Sequence, residues 1–206
     1  MKNIYTLDQL CYKINDKSII NNISCDIKYS RVTNIKGING AGKTTLLKLI
    51  YGLYKPSSGT ITRYFDSCKT TMSYLFQNAI VLNRSIEDNL NHALYCQDIK
   101  KNEWKNIILQ SAKEFDLEHL LQLNIRSLSG GEFQLLTLLR SILNSPDILF
   151  LDEPTNNLDL HNIKIIVKII KSFQKKGASI LLVSHDENLL SMIEYDQISI
   201  NEGRIV

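Results

Sequence analysis

An α/β protein with a largely parallel sheet flanked by helices, a β-rich N-terminal part and an inserted helical segment is the fold class this sequence predicts. Three observations carry that expectation. Short apolar or alternating segments recur around residues 4 to 12, 19 to 27, 32 to 36, 148 to 151, 180 to 183 and 197 to 200, lengths that suit strands. Apolar residues at helical spacing run through Trp104, Ile107, Ile108, Ala112 and Phe115, and through Ile163, Ile166, Val167, Ile170 and Phe173. A glycine-rich loop joins the third apolar segment to a leucine-rich one, and strand, helix, strand alternation closes the chain, as in parallel sheets with crossover helices.

Each element follows in order. The first two segments are β-rich, and the third, Val32 to Ile35, enters the glycine loop. Leu46, Leu47 and Leu49 mark the helix behind it. The middle of the chain, about 80 to 145, holds the Trp104 stripe and reads as a helical subdomain inserted in a single domain of residues 1–206. Ile148 to Leu151 and Ile180 to Val183 are continuous apolar runs, the mark of strands buried on both faces. The Ile163 stripe is the helix between them.

Composition bounds the function. The chain has 206 residues, 44% hydrophobic and 22% charged, which is an ordinary globular balance with one or two domains. A net charge of +3 is too small to mark a polyanion-binding protein, so no nucleic-acid partner is expected. The apolar runs fall far below the roughly 18 residues that a membrane-spanning helix needs. The start of the chain lacks a secretory pattern, which leads us to expect a cytosolic protein. Cys11, Cys25, Cys68 and Cys96 form no Cys-x-x-Cys pair and are expected as buried, reduced thiols.

Gly37-Ile38-Asn39-Gly40-Ala41-Gly42-Lys43-Thr44 satisfies G-x-x-x-x-G-K-[ST] between a predicted strand and a predicted helix, the context that a P-loop requires. Such glycines let successive N–H groups converge on phosphate oxygens at a helix N-terminus. Lys43 should reach the β- and γ-phosphates, and the Thr44 hydroxyl should ligate Mg2+. Asp152 and Glu153 follow directly on the buried segment Ile148 to Leu151, at the sheet end where open α/β folds bind ligands. Asp152 suits a magnesium ligand, and Glu153 suits the group that orients or deprotonates the attacking water. His185 follows the Ile180 to Val183 segment and should emerge on the same edge, able to hydrogen-bond phosphate or water.

Leu128-Ser129-Gly130-Gly131-Glu132 opens another helix, and Asp152-Glu153-Pro154-Thr155 comes 20 residues after Glu132. Together with the P-loop these motifs resemble the ATP-binding subunits of ABC transporters over nearly the whole chain. The resemblance implies a P-loop NTPase of ABC type, with a mostly parallel core sheet, an N-terminal antiparallel β part and the inserted helical subdomain. It implies an ATPase with ATP and Mg2+ as cofactors, working as a head-to-tail homodimer or heterodimer. Two ATP molecules would lie between the cradle of one subunit, through Thr45, and Ser129, Gly130, Gly131 and Glu132 of the other. Gln77, in Tyr74-Leu75-Phe76-Gln77, looks like the family's glutamine that touches magnesium and the catalytic water. Asn157-Leu158-Asp159 looks like the loop crossing the dimer interface, and His185 matches the switch histidine.

Two positions depart from the family pattern. An ungapped alignment puts Ile14 where an aromatic usually stacks on adenine, with Tyr12 two residues earlier, so either could contact the base. Phe133 and Leu135 replace more usual polar and basic residues and are expected to alter the helix surface.

The resemblance further implies a transmembrane permease partner and a peripheral place on the cytoplasmic face of the membrane. An import system would add a substrate-binding protein. The stretch from Gln77 to Leu90 is similar to that of oxyanion importers of the tungstate, molybdate or phosphate type, although Ser85 and Asp88 also read as a helix cap. The alternatives are the ATPase of a haem or cytochrome-maturation exporter and, in another class, an ABC protein acting on ribosomes or DNA. With Val206 just past Asn201-Glu202-Gly203-Arg204, no C-terminal regulatory domain is expected.

Overall fold

A computed structural model describes residues 2–96, 99–156 and 158–206. In chain order the elements are β1 (Asn3–Ile14), β2 (Lys17–Lys28), β3 (Val32–Lys36), α1 (Lys43–Tyr51), β4 (Ser58–Arg63), β5 (Met72–Leu75), α2 (Ile86–Tyr95), α3 (Trp104–Glu114) and α4 (Gly130–Ile142). They continue with β6 (Ile148–Asp152), α5 (Leu160–Lys175), β7 (Ser179–Val183), α6 (Glu187–Ser191), β8 (Asp196–Asn201) and β9 (Arg204–Ile205).

Two sheets result. One is antiparallel, in the order β2-β1-β4; the other is a six-stranded sheet ordered β5-β6-β7-β3-β8-β9, parallel throughout except for the β8–β9 pair. The β1–β2 hairpin turns through Asn15 and Asp16 at φ of 44° and 64°, the paired left-handed residues of a type I′ loop, which Asn and Asp adopt at low cost. Bulges in β1 follow Leu7 and Leu10.

The continuous apolar strands are explained by two clusters that sandwich the large sheet. Leu149 and Leu151 of β6, with Ile180 and Leu182 of β7, face the helical side built from α2 to α5. Ile148, Phe150, Leu181 and Val183 face the opposite side, against β1, β2 and α1. Phe150 anchors that second cluster: its ring centroid lies 5.1 Å from that of Tyr51, 6.1 Å from Tyr74 and 6.4 Å from Tyr5. Burial of such rings, with aromatic pairing of about 0.5–1.5 kcal/mol per pair, fixes the strand that carries Asp152.

Several elements are absent from the sequence reading. β4 is mostly exposed, so its side chains leave no apolar pattern. β5, α6 and β9 are too short for periodicity to register.

Two expectations are corrected. The thiols are all free, but Cys68 and Cys96 are exposed and Cys11 and Cys25 only half-buried, because the first pair lies in a loop and at a helix end. Leu135 does not alter the surface of α4. It is 2% exposed within a helix whose Leu136, Leu138, Leu139 and Ile142 are also buried, and Phe133 is half-buried beside it.

Candidate functional site

The phosphate cradle grows out of β3, which pairs with β7 on one side and β8 on the other. The loop passes so close to β8 that a Cβ on Gly37 would stand 2.3 Å from the Ile200 carbonyl oxygen. Gly42 has φ of 101°, a conformation costly to any residue with a Cβ, and it serves as the N-cap of α1 with no side-chain cap. The first N–H groups of α1 are therefore left to whatever the loop encloses. Lys43 bends back over the loop, where its Nζ donates to the carbonyls of Gly37 at 2.9 Å and Ile38 at 3.1 Å.

Asp152, at the end of β6, is 1% exposed. It accepts from Thr44 Oγ1 at 2.9 Å and from the Tyr74 hydroxyl at 3.2 Å. Burial pushes the Asp152 carboxyl up from the ordinary carboxylate value, while those two hydrogen bonds and the charges of Lys48 and Lys43 pull it down. The Tyr74 phenol is likewise raised, by burial and then by Asp152, so it stays a neutral donor. Thr44 and Asp152 thus meet as a hydroxyl and a buried carboxylate. These hard oxygen donors suit Mg2+, and a cation there would offset the cost of burying the carboxylate.

Glu153 departs from regular backbone. Its φ of 51° places a non-glycine residue in the left-handed region, a strain of about 1–3 kcal/mol, and such strain clusters at functional sites. Its N–H donates to the Val183 carbonyl at 2.9 Å, so β7 holds the distorted peptide in place. The side chain is only 10% exposed, and Oε1 lies 3.0 Å from His185 Nδ1. With Nδ1 facing the Glu153 carboxyl group, Nε2 of His185 is left to the solvent side, where the ring is largely exposed.

Lys43, Thr44 and Glu153 line one cavity of about 540 Å³, whereas Asp152 and His185 are not among its lining residues. Its lining comes from Gln77, Glu153 and Val183, from the loop residues Asn39, Gly40, Gly42, Lys43, Thr44 and Thr45, and from Lys17 and Ile19 of β2. The two β2 residues, and Tyr74 behind Asp152, were not foreseen. Lys17 follows a hairpin turn that an Asn-Asp pair could have signalled, whereas nothing in the sequence marks Tyr74 as a carboxylate partner.

Other expected residues lie elsewhere. Ser129 caps α4, accepting from the Glu132 N–H at 3.3 Å while its own N–H donates to Glu132 Oε2 at 2.7 Å. A Cβ on Gly130 would meet open space, whereas one on Gly131 would lie 2.9 Å from Asn162 Nδ2. None of these four residues lines the cavity, so the structure does not bring them to the cradle within one chain. Asp159 caps α5, accepting from the Asn162 N–H at 2.8 Å. Asn157 lies outside the described residues. Tyr12 and Ile14 line no part of the cavity: the Tyr12 ring is stacked on Tyr54, centroids 5.4 Å apart and 2° from parallel, and Ile14 is exposed.

Residues 20–156 match the ABC transporter family model. The chain is 34% identical over 191 residues to the zinc import ATP-binding protein ZnuC of Vibrio parahaemolyticus, covering 92% of this chain and 70% of that one. Against the ZnuC of Wigglesworthia glossinidia brevipalpis it is 34% identical, covering 96% and 82%. With the spermidine/putrescine import ATP-binding protein PotA of Legionella pneumophila it shares 33% identity, over 84% of this chain and 50% of that one. Among solved structures, cbiO1 of Clostridium perfringens, part of the ABC transporter complex cbiONQ, superposes with a TM-score of 0.84 at 25% identity, covering all of this chain and 88% of that one. These curated relatives are named for zinc and polyamine import, and the oxyanion expectation drawn from residues 77 to 90 has no support among them.

Proposed function

We propose a function from one premise: the chain belongs to the ABC transporter family and is an ATP-binding ATPase of that family. In our reading residues 1–206 act as one unit, with about 80 to 145 as its helical subdomain, and power import through a separate membrane permease from the cytoplasmic face. Among the described residues no helix is long and apolar enough to cross a membrane. The import names of the curated relatives support uptake over export, and the ZnuC relatives support a divalent cation such as zinc as the cargo. A substrate-binding protein would complete such a system.

The observation that carries this reading is the convergence of the cradle, Gln77 and Glu153 on a single cavity, with His185 in hydrogen-bond contact with Glu153. Lys43 would turn from its loop carbonyls to the β- and γ-phosphates, joined by the α1 N–H groups. Thr44, Asp152 and Gln77 would hold Mg2+, which when bound neutralises charge on the phosphate oxygens. Glu153 would orient the attacking water and accept its proton, while His185 fixes the Glu153 carboxylate and offers Nε2 toward the γ-phosphate.

Ser129 and Gly130 are exposed and outside the cavity, which supports a site completed by the signature helix of a second ATP-binding subunit. Asp159, at the start of α5, would act at that interface. Closure of the pair on ATP would then drive the permease, and hydrolysis would reset it.

Co-purification tests the reading. Tagged protein from detergent-solubilised cells should retain a multi-span permease, identified by mass spectrometry, with loss of the complex when Phe76 and Ile80, exposed beside Gln77, are changed to Asp. Recovery of ribosomes or DNA-repair factors with no membrane protein would overturn it.

A further inference from the structure

The β2 side of the nucleotide cavity carries an inference that rests on the proposed nucleotide site and goes beyond it. With Gln77 and Glu153 proposed at the γ-phosphate and the phosphates over Gly40 to Thr45, Lys17 and Ile19 are the β2 lining residues left to meet the base. Bases are usually gripped by flat or cationic groups on their faces. Among the described residues no aromatic ring lines this cavity, and Tyr12, two strand positions from the hairpin turn, has its ring face already covered by Tyr54.

Lys17 is exposed, follows the tight Asn15–Asp16 turn and has no ion-pair partner among the described residues. Ile19 is half-buried two residues on, at the bulge where Lys13 pairs with Ser18 and Tyr12 with Ile20, and both Lys17 and Ile19 line the cavity. Beyond them a second cavity opens past Gly40, lined by Asn201, Glu202 and Gly203 together with Lys17 and Ile19. The base end is thus open rather than enclosed.

We propose that Lys17 is the base-recognition residue of this site, its ammonium lying over the purine face against an aliphatic floor of Ile19. Discrimination between bases is consequently weak. Strong selection requires buried polar groups that the wrong base would leave unpaired, and this side supplies an exposed ammonium, an alkyl group and, past Gly40, the exposed Asn201 and Glu202. A donor-only ammonium also tolerates guanine, whose O6 and N7 are both acceptors.

The test is calorimetric titration of the whole chain with Mg·ATP, Mg·GTP and inorganic tripolyphosphate. GTP should bind within about tenfold of ATP. Lys17→Ala should weaken ATP and GTP by about two- to fivefold, the range of an exposed cation–π contact, and leave tripolyphosphate unchanged. Lys17→Arg should restore both nucleotides, since a guanidinium stacks on a base equally well. Equal loss of tripolyphosphate would make Lys17 a phosphate contact and overturn the proposal, as would a larger loss in Tyr12→Leu than in Lys17→Ala, or more than a hundredfold preference for ATP. If wild-type protein binds none of the three ligands and Lys43→Ala changes nothing, the nucleotide site itself is refuted.

Discussion

Asn89 should be among the most costly side chains to remove outside the apolar core. It is 0% exposed in α2, and its amide closes the loop that leads from Gln77 to that helix. Oδ1 accepts from the Leu82 N–H at 2.8 Å, while Nδ2 donates to the carbonyls of Leu82 and Ser85, each at 2.9 Å. In Asn89→Ala the Leu82 N–H loses this acceptor, a cost of about 1–3 kcal/mol if it stays dry. The two carbonyls keep backbone donors, from Arg84 N–H at 2.8 Å and Asn89 N–H at 3.2 Å, so each loses about 0.5–1 kcal/mol. Leu82 is half-buried and water can relieve part of the cost, and Ala gains about 0.5 kcal/mol in helix propensity. The balance is a destabilisation of about 2 kcal/mol. Urea denaturation should show it as a midpoint lowered by about 1 M at an m-value of about 2 kcal/mol/M. Hydrogen exchange should show the Leu82 amide losing protection first. A midpoint shift below about 0.2 M with Leu82 protection unchanged would refute the reasoning.

Asp152 carries a pH prediction. Its folded-state value is raised, chiefly by burial, so the stability it contributes is full below the unfolded value of about 4 and is lost as pH rises through the folded value. Asp152→Asn should therefore raise the melting temperature of the nucleotide-free protein at neutral pH and flatten its pH dependence above pH 4, while abolishing magnesium-dependent nucleotide binding; an unchanged melting profile would contradict the assignment. Thiol reactivity should split by environment: Cys68 and Cys96 should be labelled quickly by a disulfide reagent at pH 8, and Cys25, whose thiol burial pushes up to about 11, slowly. Equal rates at Cys25 and Cys68 would refute that ordering.

How much was legible depends on what the sequence pattern has to encode. The cradle was readable because its glycines answer steric demands that no other residue meets, at Gly37 against Ile200 and at Gly42 with its left-handed backbone. β6 and β7 were readable because both faces are covered, which forces every residue from Ile148 to Leu151 to be apolar. Exposed β4 is under no such demand, so it left no trace.

The 77–90 stretch shows the opposite hazard. Its Ser85 cap was legible and forms as expected, accepting from the Asp88 N–H at 3.0 Å. Yet Asn89, embedded in the same motif, acts as a buried clamp on Leu82 and Ser85, so the pattern reports how a loop is closed rather than what the partner carries. The left-handed φ of Glu153 was out of reach for a related reason: it arises from a tertiary bond to Val183 that no local pattern announces. Lys17 reaches the cavity through hairpin geometry, and the aromatic residue expected there is committed to Tyr54.

The most direct test of the central claim is steady-state ATP hydrolysis by Glu153→Gln beside the wild-type chain, with nucleotide binding measured on the same samples. The amide keeps the shape and the contact with His185 but cannot accept a proton. Turnover should fall by at least about a hundredfold while Mg·ATP binding is retained. Hydrolysis at the wild-type rate with binding intact would contradict the assignment of this cavity as the catalytic site.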